Sequence, residues 1–218
     1  MIEHIDRVIL VLIVANVIVS SRGFNNHTFF EQYKFNIGRI LGGEKIRMLT
    51  SGFLHADWIH LLFNMYALYL FGDIVAVFLG SELFLLIYVI SLLSGSLYTL
   101  QSYKKVPYYS AVGASGAVSG IVFSSILLYP DMSLYLFFIP IPIPGYIFGT
   151  GYLIYSIYGM KKQLGSVGHA AHLGGAIAGF VMSILLKPSL FLENTLTVLL
   201  MAMPIFILVI FGNRILKN

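Results

Sequence analysis

Residues 113–120 read GASGAVSG, and residues 175–179 read GAIAG. Each stretch carries glycines four positions apart, the GxxxG pattern, inside an apolar run. Glycines at this spacing lie on one face of a helix and let the backbones of two membrane helices approach closely. The two stretches therefore predict a pair of apolar helices that pack against each other.

The composition of the chain fits helices in lipid and not a water-soluble domain. Of its 218 residues, 58% are hydrophobic and 10% are charged, whereas ordinary globular chains carry roughly 25% charged residues. The mean hydropathy is +0.89. The same values exclude intrinsic disorder, and the absence of cysteine excludes a disulfide scaffold. The net charge of +4 is small and scattered, so we expect no nucleic-acid partner.

Seven apolar runs approach the length of a spanning helix, which needs about 20 residues. They are residues 8–21, 58–79, 83–101, 111–129, 134–158, 167–186 and 196–212. The sequence therefore predicts an all-α membrane protein whose surroundings are the lipid bilayer. The first run is short enough to be a signal-peptide core. Glu3 and Asp6 before it, and six further runs behind it, favour a retained helix.

Two connections depart from this plain pattern. Prolines at 140, 142 and 144 exclude a helix, so residues 137–144 are predicted to be extended and the fifth helix to run from about Gly145 to Tyr158. Residues 22–57 form the one long connection. Its many aromatic residues argue against disorder and predict a partly helical element at the membrane interface.

Polar side chains inside apolar runs are costly in lipid and are therefore candidate functional residues. His60 and Asn64 are four positions apart and share one helix face. Ser115 and His172 each lie beside one of the two GxxxG patterns. Packing of those glycines would bring the hydroxyl and the imidazole within hydrogen-bond reach, as a nucleophile and its base require.

The other two polar side chains suit an oxyanion hole. His60 and Asn64, together with the backbone N–H of Ser115, could hold the negative charge of a tetrahedral intermediate. Asp73 is the only acidic residue well inside an apolar run, and it lies away from the motifs. The sequence thus predicts a Ser-His dyad without a third carboxylate, and we expect no cofactor and no metal.

Each of these residues also has a plainer explanation when taken alone. A glycine-serine stretch is most often packing, and Asn64 is more often a contact between helices. His60 could be a buried histidine bonded to a carbonyl. His169 and His172 could ligate a metal, and His55, at the membrane edge, is most simply a solvated or interfacial residue. The conjunction of the motifs favours the catalytic interpretation.

Three motifs together resemble the rhomboid intramembrane serine proteases. They are residues 55–65 (HADWIHLLFNM) with Gly72 after them, residues 113–116 (GASG) and residues 171–175 (AHLGG). The similarity runs from about residue 40 to about 186, with the motifs in the family's order.

The resemblance implies Ser115 as the nucleophile, His172 as the general base and acid, and His60 and Asn64 in the oxyanion hole. It also implies a six-helix core, here residues 1–186, with residues 187–218 as an additional transmembrane helix. The expected substrates are single-pass membrane proteins.

The chain departs from the family pattern at three positions. Arg47 follows an isoleucine where the family often has tryptophan, and Ala76 stands where a glutamate frequently pairs with that arginine. Ser119 stands where many bacterial members have a tyrosine stacked on the catalytic histidine. The orientation of His172 would then come from Ser119, from Phe123 or from neighbouring backbone.

Several other functions remain as alternatives. The first is a catalytically silent rhomboid-like protein that binds membrane clients, against which the intact Ser115 and His172 weigh. A small transporter would show repeat symmetry or a central charge pair. A zinc protease needs His-Glu-x-x-His, which does not occur, and an aspartyl protease needs two membrane carboxylates. A haem held by His60 and His172 would leave the serine and the asparagine unexplained.

The charge distribution and the family resemblance indicate opposite membrane orientations. With a cytoplasmic N-terminus, Arg7 and Lys187 are the only two of the 13 Lys and Arg residues on the inside. The positive-inside rule therefore favours an external N-terminus. The resemblance implies a cytoplasmic N-terminus and a site that opens outward, and we adopt this orientation. With no organelle-targeting leader, we expect the bacterial plasma membrane.

Overall fold

Helices make up most of the molecule. The computed structural model describes residues 5–135, 141–164 and 168–215, with side chains up to residue 210. Its helices are α1 (Arg7–Asn25), α2 (His27–Tyr33), α3 (Ile37–Leu41), α4 (Arg47–Thr50), α5 (Trp58–Leu79), α6 (Ser81–Tyr103), α7 (Ser115–Leu128), α8 (Gly145–Lys162), α9 (His169–Leu186), α10 (Leu190–Glu193) and α11 (Thr195–Ile215), with a 3-10 turn at Ser51–Phe53.

Four strands of two residues form two antiparallel ribbons. They are β1 (Phe35–Asn36) with β2 (Ser110–Ala111), and β3 (Ser133–Leu134) with β4 (Ile143–Pro144). The first ribbon pairs Phe35 with Ala111 and so ties the long connection to the segment that leads into α7. Both ribbons are short pairings between connecting segments, and neither forms a separate layer of the fold.

The predicted all-α membrane fold is confirmed. Among the described residues, four helices are long and apolar enough to cross a membrane, namely α1, α5, α6 and α9. Helix α7 and residues 195–210 are shorter apolar helices. α8 begins at Gly145 as predicted and ends at Lys162. Of the predicted extended connector, residues 137–140 lie outside the described residues, and its end forms β4.

Helix α7 is the centre of the bundle and is shorter than predicted. It begins at Ser115 because the residues before it are held in β2 and a turn. Of its 14 residues, all except Ser115 and Val122 are buried, as expected of a helix surrounded by others. Its length of about 21 Å falls short of the hydrocarbon thickness of about 30 Å. Ser115 can therefore lie below the membrane surface.

The predicted close approach of the two GxxxG patterns is confirmed. A Cβ on Gly175 would meet the backbone carbonyl of Gly116, and one on Gly179 would meet the carbonyl of Gly120. Helix α6 joins the same contact, because a Cβ on Gly95 would lie 2.6 Å from the carbonyl oxygen of Ala171. Glycine is required at these positions because backbone occupies the space of a side chain.

The long connection consists mainly of short helices and contains its own ion pair. Arg47 is 4% exposed. Its Nε donates to Glu44 at 2.6 Å, and its Nη1 donates to the carbonyls of Glu31 at 2.8 Å and Lys34 at 3.0 Å. The glutamate expected at position 76 is therefore replaced by a carboxylate three residues before the arginine.

The C-terminal helix α11 packs along α8. The Thr150 hydroxyl donates to the carbonyl of Leu200 at 3.3 Å, and Met201 fills the space above Gly149. The Asn194 amide, just before α11, donates to the carbonyl of Leu127 at 2.8 Å. The first two contacts join α11 to α8, and the third joins the residue before α11 to α7.

We expect Gly175→Ala to destabilise the bundle. The new methyl group meets backbone that cannot move aside without separating α7 from α9, and such overpacking costs about 1–3 kcal/mol. Thermal unfolding in detergent micelles should show a lower midpoint. Gly151→Ala on α8 is the matched control, because no atom lies within 4 Å of the added carbon. An unchanged midpoint for Gly175→Ala would contradict the described packing.

Candidate active site

One cavity collects the four residues singled out by the motifs. It has a volume of about 510 Å³, and its wall includes Ser115, His172, His60 and Asn64. They stand on three different helices: α7, α9 and α5. Helix α6 and the segments before α5, α7 and α9 also contribute to the wall. The four predicted residues therefore share one cavity between helices.

Ser115 is the first residue of α7, with Ala114 as its N-cap. The first N–H groups of a helix have no partner within the helix, and the helix dipole makes this end positive. The backbone at Ser115 can therefore donate to an anion that forms beside its own hydroxyl. A nucleophile at this position attacks a carbonyl close to preformed N–H donors.

The turn before α7 depends on Gly113. Its φ of +127° lies in the region that side-chain-bearing residues avoid, and its N–H donates to the carbonyl of Ser51 at 3.0 Å. A Cβ here would lie 2.7 Å from Cε1 of His60. The first glycine of the GASG motif thus makes the turn and leaves room for the His60 ring.

The hydrogen bonds of His60 fix which of its nitrogens faces a substrate. The backbone N–H of Ala56 donates to Nδ1 at 3.4 Å, so in the neutral ring the proton sits on Nε2. Nε2 lies on the side of Gly113. Asn64 donates one amide hydrogen to the carbonyl of His60 at 2.9 Å and keeps a second for another acceptor. Both side chains can therefore donate into the cavity.

His172 faces the cavity from the first turn of α9. Among the described residues, no hydrogen bond joins its ring to Ser115 Oγ. Catalytic hydrogen bonds are often long in free enzymes and shorten when substrate binds. Asp57, the acidic residue on the described cavity wall, accepts from the backbone N–H of His60 at 2.8 Å as the N-cap of α5.

The expectation that His55 is a solvated or interfacial residue is wrong. His55 is fully buried, because the connection folds over it. The N–H of Ala114 donates to its Nε2 at 3.3 Å, so Nδ1 carries the proton and donates to Ser20 Oγ at 2.8 Å. The Ser20 hydroxyl in turn donates to the carbonyl of Phe53 at 2.9 Å. This chain anchors the residue before the nucleophile to α1.

His169 lies apart from the cavity wall. It is 3% exposed, and its Nε2 contacts the carbonyl of Leu164 at 3.2 Å. Within the described ranges, no group of three His, Asp or Glu residues could hold a metal ion. His169 packs against Tyr155, with ring centroids 5.3 Å apart. The three-residue spacing of the two histidines is thus part of helix packing.

A smaller, mainly apolar cavity of about 240 Å³ lies next to the first. Ser115 and Asn64 line both cavities. The described wall of the smaller cavity consists mostly of apolar side chains from α5, α7 and α8, among them Phe63, Phe148 and Tyr152. The serine therefore lies between a polar space and an apolar one.

Comparison with known proteins shows the family of the chain. Residues 42–189, more than half of the chain, match the Rhomboid domain family. The matched range contains the four helices that line the larger cavity, and Phe35 of its wall lies before the range. The chain belongs to the rhomboid family. The matched rhomboid domain contains all three motifs described above.

Several curated rhomboid proteins are similar to this chain. RHOMBOID-like protein 12, mitochondrial, of Arabidopsis thaliana is 31% identical over 78% of this chain and 55% of its own length. Rhomboid protein 1, mitochondrial, of Saccharomyces cerevisiae is 34% identical over 62% of this chain and 40% of its own. Rhomboid protease GluP of Bacillus subtilis is 36% identical over 65% of this chain and 26% of its own. The similarity thus spans about half or less of each relative.

We expect the buried His55 to make stability depend on pH. Burial, and secondarily the charge of His60, lower the pKa of His55 from 6.5 to about 3. Between those values the unfolded chain binds a proton that the folded ring does not, so stability falls as the pH falls below about 6.5, by up to about 1.4 kcal/mol per pH unit.

Thermal midpoints in micelles between pH 7 and 4.5 measure this dependence. His55→Asn should flatten it relative to the wild type. His27→Asn, whose side chain is 87% exposed, is the control and should leave it unchanged. Equal slopes for wild type and His55→Asn would show that His55 is not held neutral by the fold.

Proposed function

We propose that this chain is an intramembrane serine endopeptidase that cleaves transmembrane segments of single-pass membrane proteins through a Ser115–His172 dyad. The observation that carries the proposal is the shared cavity, where a serine at a helix N-terminus and a histidine meet two amide or imidazole donors. A nucleophile, a base and oxyanion donors are the set that acyl transfer requires.

The reaction proceeds in two steps. Ser115 Oγ attacks the scissile carbonyl while His172 accepts the hydroxyl proton, and the carbonyl oxygen becomes an oxyanion. The N–H of Ser115, His60 Nε2 and the free Asn64 amide hydrogen stabilise that charge. His172 then protonates the leaving amine, which gives an acyl-enzyme. Water, deprotonated by His172, attacks the ester and releases the second product and the serine.

The two cavities meet different requirements of the proposed reaction: one provides space for water, and the other suits an apolar side chain of the substrate. The larger one has polar side chains in its wall and supplies the space for water. The apolar one suits a side chain of a segment that arrives from lipid. The segment must unwind locally before attack, because the carbonyls of a helix are already bonded to its own N–H groups.

The relatives support the proposal without deciding activity. The Bacillus subtilis relative is named a rhomboid protease, whereas the plant and yeast relatives are named only as rhomboid or rhomboid-like proteins. The alternative remains a rhomboid-like protein that binds membrane clients and does not cut them. The donors and the free serine in one cavity favour the protease, because client binding requires neither.

The comparisons do not support the membrane in which we expected the chain to reside. Two of the relatives reported above are mitochondrial by name, so the expectation of a bacterial plasma membrane is not confirmed. The chain is a multi-pass membrane protein.

We propose that its N-terminus is cytoplasmic. Phe35 and Ser51, which follow the first crossing, line the cavity, so the site then opens away from the cytoplasm.

Reporter fusions test this orientation. With the seven crossings that the sequence predicts, the C-terminus lies on the side opposite the N-terminus, so a C-terminal reporter should be active outside the cytoplasm and an N-terminal one inside it. A cytoplasmic C-terminus would overturn the orientation and would agree with the distribution of positive charges.

We expect Ser115→Ala to abolish both cleavage and active-site labelling. The purified chain, reconstituted with a single-pass model substrate, should cut it and should react with a fluorophosphonate at Ser115. Ser125→Ala is the matched control on the same helix, because its hydroxyl is bonded to the Val122 carbonyl at 2.9 Å and lies outside the cavity.

The outcomes separate the two functions. Cleavage and labelling that persist in Ser115→Ala would refute the assigned nucleophile. A wild-type chain that binds the model substrate without cutting it, and that does not react with the probe, would favour the client-binding alternative.

A further inference from the structure

A tyrosine from outside the three motifs lies against the candidate base. The ring of Tyr152, on α8, is parallel to within 19° with the imidazole of His172, and the ring centroids are 6.0 Å apart. This separation and tilt belong to the offset-stacked geometry that aromatic rings prefer. The other ring near His172, that of His169, meets it edge-on at 6.5 Å.

Ser119, on the same helix α7 as Ser115, forms a hydrogen bond with this tyrosine. Its Oγ lies 2.8 Å from the Tyr152 hydroxyl. Ser119 is 5% exposed, and it stands one helical turn after Ser115. Leaving a buried hydroxyl unpaired is costly, so the folded protein favours keeping these two hydroxyls bonded. The bond therefore connects α7 to α8 beside the dyad.

Two phenylalanines restrict the Tyr152 ring further. Phe148, one turn earlier on α8, stacks on it with a centroid separation of 6.1 Å and a tilt of 27°. Phe123 on α7 meets it at 5.9 Å and 54°. Three aromatic neighbours therefore contact the half-buried Tyr152 ring, and the imidazole is one of them.

We propose that Tyr152 is a positioning residue for His172, and that Ser119 acts through Tyr152 rather than on the histidine itself. The inference rests on the proposed function, in which His172 is the base. During attack the imidazole gains a proton, and the negative face of an aromatic ring attracts such a cation. The ring of Tyr152 thus fixes the plane of His172 and favours the charged form in the transition state.

Steady-state cleavage by four variants tests the role of each group. We expect Tyr152→Leu to lower kcat by about 10- to 100-fold, because stacking and cation attraction act on the base. KM should change much less than kcat, because leucine keeps an apolar side chain in the wall of the smaller cavity. Tyr152→Phe and Ser119→Ala should each lower kcat by about 2- to 10-fold, the worth of one hydrogen bond. Their double variant should fall no further than either single one.

Tyr158→Leu is the matched control on α8, because Tyr158 is 53% exposed and lies outside both cavities. Rates are expressed per active site, counted by fluorophosphonate labelling carried to completion. The control should cleave like the wild type. Wild-type kcat per active site in Tyr152→Leu, or additive losses in the double variant, would overturn the proposal.

An NMR measurement separates this inference from the proposed function. In the Ser115→Ala background, the side-chain resonances of His172 should move when Tyr152 becomes leucine, because the ring current of the stacked neighbour is lost. They should stay in place when Tyr152 becomes phenylalanine, which keeps the ring. This readout needs no cleavage. Unmoved resonances in Tyr152→Leu would overturn the stacking, whereas an inactive wild type would overturn only the protease.

Discussion

The backbone contact between α7 and α9 is the constraint on which the site depends. The carbonyl of Gly116 occupies the space where a side chain at position 175 would lie, so the two helices are fixed by main chain and not by adjustable side chains. Ser115 stands one residue before the first of these glycines, and His172 stands three residues before the second. The relative position of Ser115 and His172 is therefore set by a contact that has little freedom to relax.

The long connection is best understood as the wall that completes this site. It contributes the Ser51 carbonyl that binds the N–H of Gly113, and β1, which pairs with β2. His55 adds a third anchor through Ala114. A turn with a positive φ needs support from several sides, and here that support comes from a segment with its own internal ion pair at Arg47.

Helix α8 contributes to the site from outside the motifs. Its Tyr152 contacts α7 and α9, and its Gly149 and Thr150 contact α11. The additional C-terminal helix therefore packs on the element that carries the ring beside His172. At the position where the chain lacks the tyrosine common in bacterial relatives, Ser119 binds a tyrosine from this other helix. A similar ring can thus reach the base from a different place in the chain.

The sequence alone was sufficient to predict the helical fold, the close contact between the glycines of two helices, and four of the residues that line the larger cavity. Those features depend on local composition, on spacing within one helix and on motifs shared with a family. Only the tertiary structure decided the buried role of His55, the start of α7 at Ser115, the Glu44 partner of Arg47 and the place of Tyr152. His55 is 59 residues from Ala114, and Ser119 is 33 residues from Tyr152. Pairs so far apart leave no periodic trace, because their contact exists only once the helices have packed.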